Sequence, residues 1–128
     1  MKIDTKNPSC PFCNPTREII INSPYAFAIF DKFPVSKGHM LIIPKVHVSD
    51  YFDLDAEIKN GLTELLDRAK NFLDEKFSPD GYNIGINAGE AAGQTVWHVH
   101  VHLIPRYKGD TTNPRGGVRG VIPDKQQY

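Results

Sequence analysis

Residues 98–107 read HVHVHLIPRY, a stretch that holds three of the chain's five histidines at every second position. Successive side chains of a β-strand point to opposite faces, so an extended segment with this pattern separates into two rows. One row is imidazole and the other is aliphatic: His98, His100 and His102 against Val99, Val101 and Leu103. A strand is therefore predicted over 96–105, with its aliphatic face in the core and its histidine face available for chemistry.

Three aligned histidines indicate metal ligation or covalent and acid–base catalysis, in preference to a merely solvated strand face. The imidazole pKa near 6.5 leaves the ring largely neutral at neutral pH. A neutral imidazole nitrogen can attack phosphorus and form an N-phosphoryl intermediate, which divides one difficult displacement into two easier ones. The attacking nitrogen must be unprotonated, so the second ring nitrogen needs an acceptor for its hydrogen.

The segments around the histidine strand predict an α+β fold. Strands are expected at 18–31 and 39–45, which are rich in Ile, Phe and Tyr, and at 81–89. Between them, apolar residues recur at spacings of three and four, which predicts one long amphipathic helix over 53–77. Gly61 is the one poor helix former inside it. A single marked helix among strands favours a mostly antiparallel sheet over repeated βαβ units.

Composition restricts the classes of function. The chain has 128 residues, 40% of them apolar, which suits one compact domain. Fifteen basic residues balance fifteen acidic ones, so no bulk attraction to nucleic acid or an anionic membrane is expected. The N-terminus has no apolar signal region, and no run approaches the roughly 20 apolar residues of a membrane span. We expect a cytoplasmic protein that binds neither nucleic acid nor membrane.

The two cysteines, Cys10 and Cys13, form a single C-x-x-C pair. In a reducing compartment such a pair is more often half of a metal site or a redox pair than a structural disulfide. Structural zinc takes four thiolate or imidazole ligands in a tetrahedron, so two histidines would be needed. His47 and His98 are the candidates, and a reduced thiol pair without metal is the alternative.

The motif HVHVHLI resembles the His-φ-His-φ-His-φ-φ signature (φ, apolar) of the histidine-triad (HIT) superfamily of nucleotide hydrolases and transferases. Two longer stretches are also similar to that family: FDKFPVSKGHMLIIPKVH (30–47), like its nucleoside-binding strand pair, and NAGEAAGQTVWHVHVHLIPRYKGD (87–110), like its active-site loop and strand. The resemblance implies a HIT fold with a five-stranded, mainly antiparallel sheet, one long helix and a short one. It also implies a homodimer. We expect a single HIT domain over 1–110 and a tail over 111–128 that packs on the domain or is partly flexible.

The resemblance implies roles position by position. His100 corresponds to the nucleophile that takes up a nucleoside monophosphoryl group, and His102 to the residue that contacts the phosphate and supports the leaving group. His98 and His39 correspond to supporting residues. The other nucleotide-binding positions are a ribose-binding acid, an amide near the α-phosphate and a phosphate-cradling loop: Asp31, Asn87, Gly93, Gln94 and Thr95. Ordinary turn chemistry beside glycines is the alternative for Asn87 and Gln94.

The continuation HLIPRYKGD (102–110) resembles the dinucleoside-polyphosphate-hydrolysing branch more than the phosphoramidase branch, which usually has glycines after the triad. It implies cleavage of diadenosine polyphosphates (Ap4A or Ap3A type) at an α-phosphate through a nucleotidyl-histidine intermediate. A divalent ion bound with the substrate polyphosphate is compatible with this reaction. The alternatives are a purine nucleoside phosphoramidase or nucleotidyltransferase of the same superfamily, and a nucleotide-binding scaffold with incidental catalysis.

The cysteine pair is similar to that of some bacterial and transferase members of the superfamily. The resemblance implies a structural zinc ion held by Cys10, Cys13, His47 and His98. Four protein ligands would leave no open position for an activated water.

The tail carries two arginines, Arg115 and Arg119, in the sequence NPRGGVRG. They are candidates to bind the distal phosphates of a long polyphosphate substrate. A solvated role is the alternative.

Overall fold

The computed structural model describes residues 7–128, in which one antiparallel sheet packs against one long helix. The strands are β1 (Ile21–Asn22), β2 (Ala26–Phe30), β3 (Met40–Pro44), β4 (Gly81–Ile86) and β5 (Val101–Arg106). Their order in the sheet is β1-β2-β3-β5-β4, and all neighbouring pairs are antiparallel. The helix α1 spans Ala56–Phe77, and short 3-10 segments lie at Tyr51–Asp53, Glu90–Ala92, Gly117–Val121 and Pro123–Lys125. The predicted α+β fold with a five-stranded sheet is confirmed.

One face of the sheet packs against α1. The helix buries residues that recur every three or four positions: Ile58, Leu62, Leu65, Ala69 and Leu73. The sheet residues that meet them are all buried: Ala26, Ala28, Met40, Ile42, Val101 and Leu103. Each large aliphatic side chain contributes about 1.5–3 kcal/mol when it is removed from water. This face therefore holds the main hydrophobic core.

The opposite face carries a second, smaller core beneath the N-terminal segment. Its sheet residues alternate with those of the helix face: Phe27, Ile29, Leu41 and Ile43. Cys10, Phe12 and Cys13 cover them. Leu41 lies directly opposite His102 in the β3–β5 ladder, so the histidine row shares this face.

The helix begins later than the sequence predicts. Asp50 accepts a hydrogen bond from the Phe52 backbone N–H at 2.9 Å and caps a separate 3-10 turn, after which α1 begins at Ala56. The glycine inside the helix also has a structural reason. A Cβ at Gly61 would lie 2.7 Å from the Cβ of Tyr25, closer than two carbon atoms can approach. Glycine is needed there because α1 crosses the β1–β2 turn in close contact.

The strands are shorter than the predicted segments. Segment 18–31 divides into β1 and β2 at a tight turn, where the Ser23 N–H donates to the Ala26 carbonyl at 2.9 Å and the Ala26 N–H donates to Ser23 Oγ at 3.1 Å. Segment 81–89 ends its ladder at Ile86.

Among the helices of residues 7–128, none combines the length and apolar character needed to cross a lipid bilayer.

Candidate active site and metal centre

The three histidines do not all lie in the ladder of β5. The strand begins at Val101, so His102 belongs to it while His98 and His100 precede it. Pro44 ends β3 and has no N–H to donate, and its carbonyl oxygen is taken by the ring of His98, Nε2 to O 2.7 Å. A side chain thus replaces the ladder bond expected at this position. The predicted strand boundary at 96 is therefore wrong.

His100 has one ring nitrogen held and one free for chemistry. Its Nδ1 lies 2.9 Å from the carbonyl oxygen of His98. A carbonyl only accepts hydrogen bonds, so Nδ1 carries the hydrogen and Nε2 of the neutral ring has an unshared pair. The side chain is buried apart from the edge that faces a cavity of about 470 Å³. This tautomer is the one a nitrogen nucleophile requires.

Phe12 restrains the ring of His100. The two ring centroids are 5.0 Å apart at 69°, an edge-to-face contact, and Phe12 is itself only 7% exposed. Phe12 stands between Cys10 and Cys13, so the loop that carries the cysteines also packs on this histidine.

His102 is oriented by a chain of hydrogen bonds that starts at a backbone amide. The Val35 N–H donates to Nδ1 of His39 at 3.1 Å, so the hydrogen of the neutral His39 ring is on Nε2. That nitrogen lies 2.9 Å from Nδ1 of His102, which must accept. The hydrogen of His102 is then on Nε2. Two successive contacts therefore fix the tautomer of both rings.

Both rings of this pair are neutral at neutral pH. Burial lowers the pKa of His102 to about 4, aided by the neighbouring His100 and His39 and opposed by Asp31. Burial also lowers the pKa of His39, again opposed by the carboxylate of Asp31. His102 can therefore donate a hydrogen bond through Nε2 without being an imidazolium ion.

Asp31 lies at the rim of the same cavity. Its Oδ1 accepts from the Phe33 N–H at 2.9 Å, and its Oδ2 lies 3.4 Å from Nε2 of His39. The carboxylate is therefore anchored at Oδ1, and the side chain as a whole is 16% exposed.

The loop before the triad divides into lining and supporting residues. Asn87, Gly93 and Thr95 line the cavity. Gln94 does not, because its amide is used within the loop: Oε1 accepts from the Gly89 N–H at 2.9 Å, and Nε2 donates to carbonyls at 2.7 and 3.1 Å. The amide of Gln94, only 4% exposed, holds the loop in shape.

Four potential ligand atoms come together close to His100, from Cys10, Cys13, His47 and His98. Nδ1 of His98 lies 3.5 Å from Sγ of Cys10 and 3.6 Å from Sγ of Cys13. Nδ1 of His47 lies 3.1 Å from Sγ of Cys13 and 3.1 Å from Nδ1 of His98. All four atoms are within 4.8 Å of one another.

This donor set fits a tetrahedral metal ion. With zinc–sulfur bonds of about 2.3 Å and zinc–nitrogen bonds of about 2.0–2.1 Å, the edges of the tetrahedron measure about 3.3–3.8 Å. The observed separations of 3.1–3.6 Å are close to those edges. Nε2 of His98 donates to the Pro44 carbonyl, which leaves Nδ1 unprotonated and directed at the thiols. The four residues thus form a candidate metal site with the required ligand chemistry.

The two tail arginines contact the C-terminal residues of the chain. Both guanidinium groups stack on Tyr128, at 5.0 Å for Arg115 and 4.8 Å for Arg119. Arg119 also donates to the carbonyls of Lys125 and Gln126, at 2.8 and 3.2 Å. Neither residue is among those that line the cavity of His100 and His102.

Two contributors were missed from the sequence, Phe12 and the backbone amide of Val35. The position of Phe12 between the cysteines is a local signal for the first. The role of the Val35 amide has no sequence signal, because any residue except proline supplies a backbone N–H.

Comparison with known proteins shows that most of the chain is similar to one protein family. The sequence model of the HIT domain matches residues 14–109. An uncharacterized 16.1 kDa HIT-like protein from Mycoplasma pneumoniae is 36% identical over 107 residues, 80% of this chain and 74% of that protein. A bis(5'-adenosyl)-triphosphatase from Dictyostelium discoideum is 40% identical over 96 residues, 75% of this chain and 64% of that protein.

Solved structures agree with the sequence comparison. A zinc-bound histidine triad family protein from Mycobacterium smegmatis superposes with a TM-score of 0.75 at 36% identity, covering 82% of this chain and 80% of that chain.

Proposed function

The chain belongs to the HIT domain family, and from that premise we propose that it hydrolyses dinucleoside polyphosphates of the diadenosine type at an α-phosphate, through a nucleotidyl-histidine intermediate on His100. One observation carries the proposal. The His98 carbonyl holds the hydrogen of His100 on Nδ1, and the opposite nitrogen is left to attack a phosphorus atom in the cavity. The similarity to a bis(5'-adenosyl)-triphosphatase supports the substrate class.

In the first step Nε2 of His100 forms a bond to the α-phosphorus, and the bond from that phosphorus to the bridging oxygen breaks. The electron pair of the broken bond stays on the departing nucleotide. The positive charge that develops on the His100 ring is stabilised by the His98 carbonyl through Nδ1–H. In the second step water attacks the same phosphorus, its proton is released to solvent, and the nitrogen–phosphorus bond breaks to give nucleoside monophosphate and free His100.

His102 supports departure of the leaving group as an anion. A terminal phosphate has a second pKa near 6, so it leaves without needing a full proton transfer. A neutral Nε2–H can stabilise that oxygen by hydrogen bonding, which agrees with the pKa of about 4 for His102. A phosphoramidate differs, because its amine must acquire a proton to leave. This difference favours the phosphoanhydride over the purine nucleoside phosphoramidate as substrate.

Nucleotide binding is assigned to the polar groups at the rim and loop of the cavity. We propose that Asp31 accepts from the ribose hydroxyls and that His39 positions His102. We assign the contacts with the α-phosphate to the loop residues that line the cavity: Asn87, Gly93 and Thr95. Gln94 supports these contacts indirectly through the shape of the loop.

We propose that Zn²⁺ is held by Cys10, Cys13, His47 and His98. When bound, the ion would be structural and would tie the cysteine loop to the residue two positions before the nucleophile. The chain's own residues carry that restraint further, because Phe12 lies in the loop and its ring packs on His100.

We further propose that two chains pair as a homodimer through β4, which is one of the two edge strands of the sheet. Its Ile84 and Ile86 are 50% and 37% exposed, and an exposed apolar edge strand is a ready template for pairing with another chain. Analytical ultracentrifugation tests this, since a monomer at micromolar concentration would contradict it.

The decisive experiment is replacement of the nucleophile. His100→Ala should reduce hydrolysis of diadenosine triphosphate by at least about 10³-fold, because removing a covalent nucleophile closes the two-step route. Rapid acid quench of the wild-type protein followed by mass spectrometry should show one adenylyl group on His100.

Lys108→Ala is the control for this experiment, because Lys108 is exposed and lies outside the cavity. That variant should retain wild-type turnover. Full activity of His100→Ala, or an adduct on another residue, would overturn the mechanism. An adduct with no turnover would instead favour a nucleotidyltransferase.

A further inference from the structure

A second concavity adjoins the cavity of His100 and extends beyond the residues to which the proposed hydrolysis assigns a role. It has a volume of about 550 Å³ and continues from His102 along β5 to Ile104. The 3-10 segment Gly117–Val121 forms its outer wall. The two concavities share His39, Asn87 and His102, together with Val35. We call the second one the distal groove.

The floor of the distal groove is flat. Gly85 lies directly opposite His102 in the β4–β5 ladder, so a side chain there would stand on the same face. A Cβ at Gly85 would meet no atom within 4 Å. Ile104 continues the floor, and Val118 and Val121 in the wall are 57% and 78% exposed. Flat apolar surfaces of this kind accept planar rings.

The lining of the groove is apolar or neutral, including the rings of His39 and His102. It contains no Lys, Arg, Asp or Glu among the described residues. Each guanidinium nitrogen of the nearby Arg106 already has a partner, with Nε and Nη2 both 2.8 Å from the carboxylate of Asp110 and Nη1 2.6 Å from Oδ1 of Asn83. A nucleoside therefore fits the groove better than a phosphate does.

Arg106 also sets the direction of a hydrogen-bond donor in the groove. Because Oδ1 of Asn83 accepts from Arg106, the NH₂ group of that amide must point the other way. Nδ2 of Asn83 lies beside Gly117 in the wall, 3.4 Å from the position of a Cβ on that glycine. The groove thus presents one oriented donor above an apolar floor, the combination that recognises an acceptor on a heterocyclic base.

The position of the groove matches the direction in which the leaving group departs. In-line displacement places the leaving group on the side of the phosphorus opposite the attacking nitrogen. Before reaction, the attacking nitrogen of His100 lies about 3–3.5 Å from the phosphorus. The ring centroids of His100 and His102 are 5.2 Å apart, so His102 is close to the same phosphorus. The departing oxygen would then emerge beside His102, where the groove begins.

We propose that the distal groove binds the nucleoside of the departing nucleotide, with its planar base over Gly85 and Ile104 and a base acceptor on Asn83 Nδ2. This inference rests on the proposed hydrolysis of dinucleoside polyphosphates and names the subsite that selects a second nucleoside.

The test compares two substrates that share the adenylyl group. Diadenosine triphosphate has a nucleotide leaving group, whereas adenosine 5'-phosphorofluoridate releases only fluoride. The measured quantity is the ratio of their kcat/KM values. Gly85→Val fills the floor, and it should lower that ratio by ten-fold or more. Asn83→Ala should lower it several-fold.

Gly81→Val is the matched control. Gly81 lies in the same strand opposite Arg106, a Cβ there also meets no atom within 4 Å, and it is outside the groove. It should keep the wild-type ratio. An unchanged ratio in Gly85→Val would overturn the proposal, as would an equal fall in Gly81→Val.

Equilibrium binding separates failure of the subsite from failure of the proposed hydrolysis. If the wild-type protein turns over neither substrate, the hydrolysis is wrong, and the subsite is judged by calorimetry with methylene-bridged diadenosine triphosphate and AMP. The subsite requires the dinucleoside analogue to bind at least ten-fold tighter than AMP in wild type, with the advantage lost in Gly85→Val. Equal affinity of the two ligands for wild type would refute it.

Discussion

Replacing Cys13 with serine should remove the metal-dependent stability of the protein. Cys13 is the residue whose thiol lies near both histidines of the set, at 3.1 Å from His47 and 3.6 Å from His98. The two cysteines lie 34 to 88 residues away from the two histidines along the chain, so only the folded state assembles all four. An ion that binds the folded state alone stabilises it by about 4 kcal/mol at a free concentration 1,000 times its Kd.

The corresponding shift in melting temperature is large. For a domain of this size about 1 kcal/mol corresponds to roughly 3–5 °C, so wild-type protein should melt some 10–20 °C higher with zinc than with a chelator. Cys13→Ser should show a difference of only a few degrees and bind well below one equivalent of zinc. Differential scanning calorimetry and metal analysis by mass spectrometry provide both numbers.

Ser9→Ala is the control for the cysteine loop. Ser9 is exposed, and within residues 7–128 its hydrogen bonds are to Asn7, so this variant should keep the full shift with zinc. The reasoning is refuted if the wild-type protein melts at the same temperature with and without chelator, or if Cys13→Ser retains the wild-type shift.

Two further predictions concern pH and packing. The pKa of His102 is lowered to about 4 in the folded state, so between pH 6.5 and 4 the unfolded chain takes up a proton that the folded chain does not. The contribution of His102 to stability is therefore complete above pH 6.5. The free energy of unfolding should fall by roughly 2 kcal/mol as the pH drops to 4, allowing for the 24% exposure of the side chain. Urea denaturation of chelator-treated protein measures this fall, which should be smaller in His102→Gln. Gly61→Ala should destabilise the protein by about 1 kcal/mol, since overpacking against Tyr25 costs about 1–3 kcal/mol and the gain in helix propensity is about 1 kcal/mol. Asn60→Ala is the control at the exposed neighbouring position, and it should be neutral or slightly stabilising. A more stable Gly61→Ala protein would contradict the prediction, because it would show that the contact with Tyr25 relaxes freely.

The helix and the core strands could be predicted from pattern alone. The apolar spacing that predicted a helix over 53–77 corresponds to α1 at Ala56–Phe77, because one continuous stripe has a single way to face the sheet. The predicted ends of the helix and of the first strand differ from the observed ends, because local side-chain hydrogen bonds there compete with the helix and the ladder. Asp50 caps its own short turn, and Ser23 closes the turn that divides the predicted first strand in two.

The sequence by itself determined which residue types face the site. A period of two places the imidazoles of the triad on one side of an extended segment, and the C-x-x-C spacing brings two thiols into one loop. Both are local properties of a short stretch of backbone, so the spacing of residues that are close in sequence is enough to predict them.

Only the tertiary structure decided how each ring is used. The protonated nitrogen of His102 depends on His39, which lies 63 residues away along the chain, and the restraint on His100 comes from Phe12 in the N-terminal loop. The direction of the Asn83 amide is likewise set by Arg106, 23 residues away. A tautomer or an amide orientation is determined by the partner atom within about 3 Å, and that partner is fixed only when the sheet brings distant segments together.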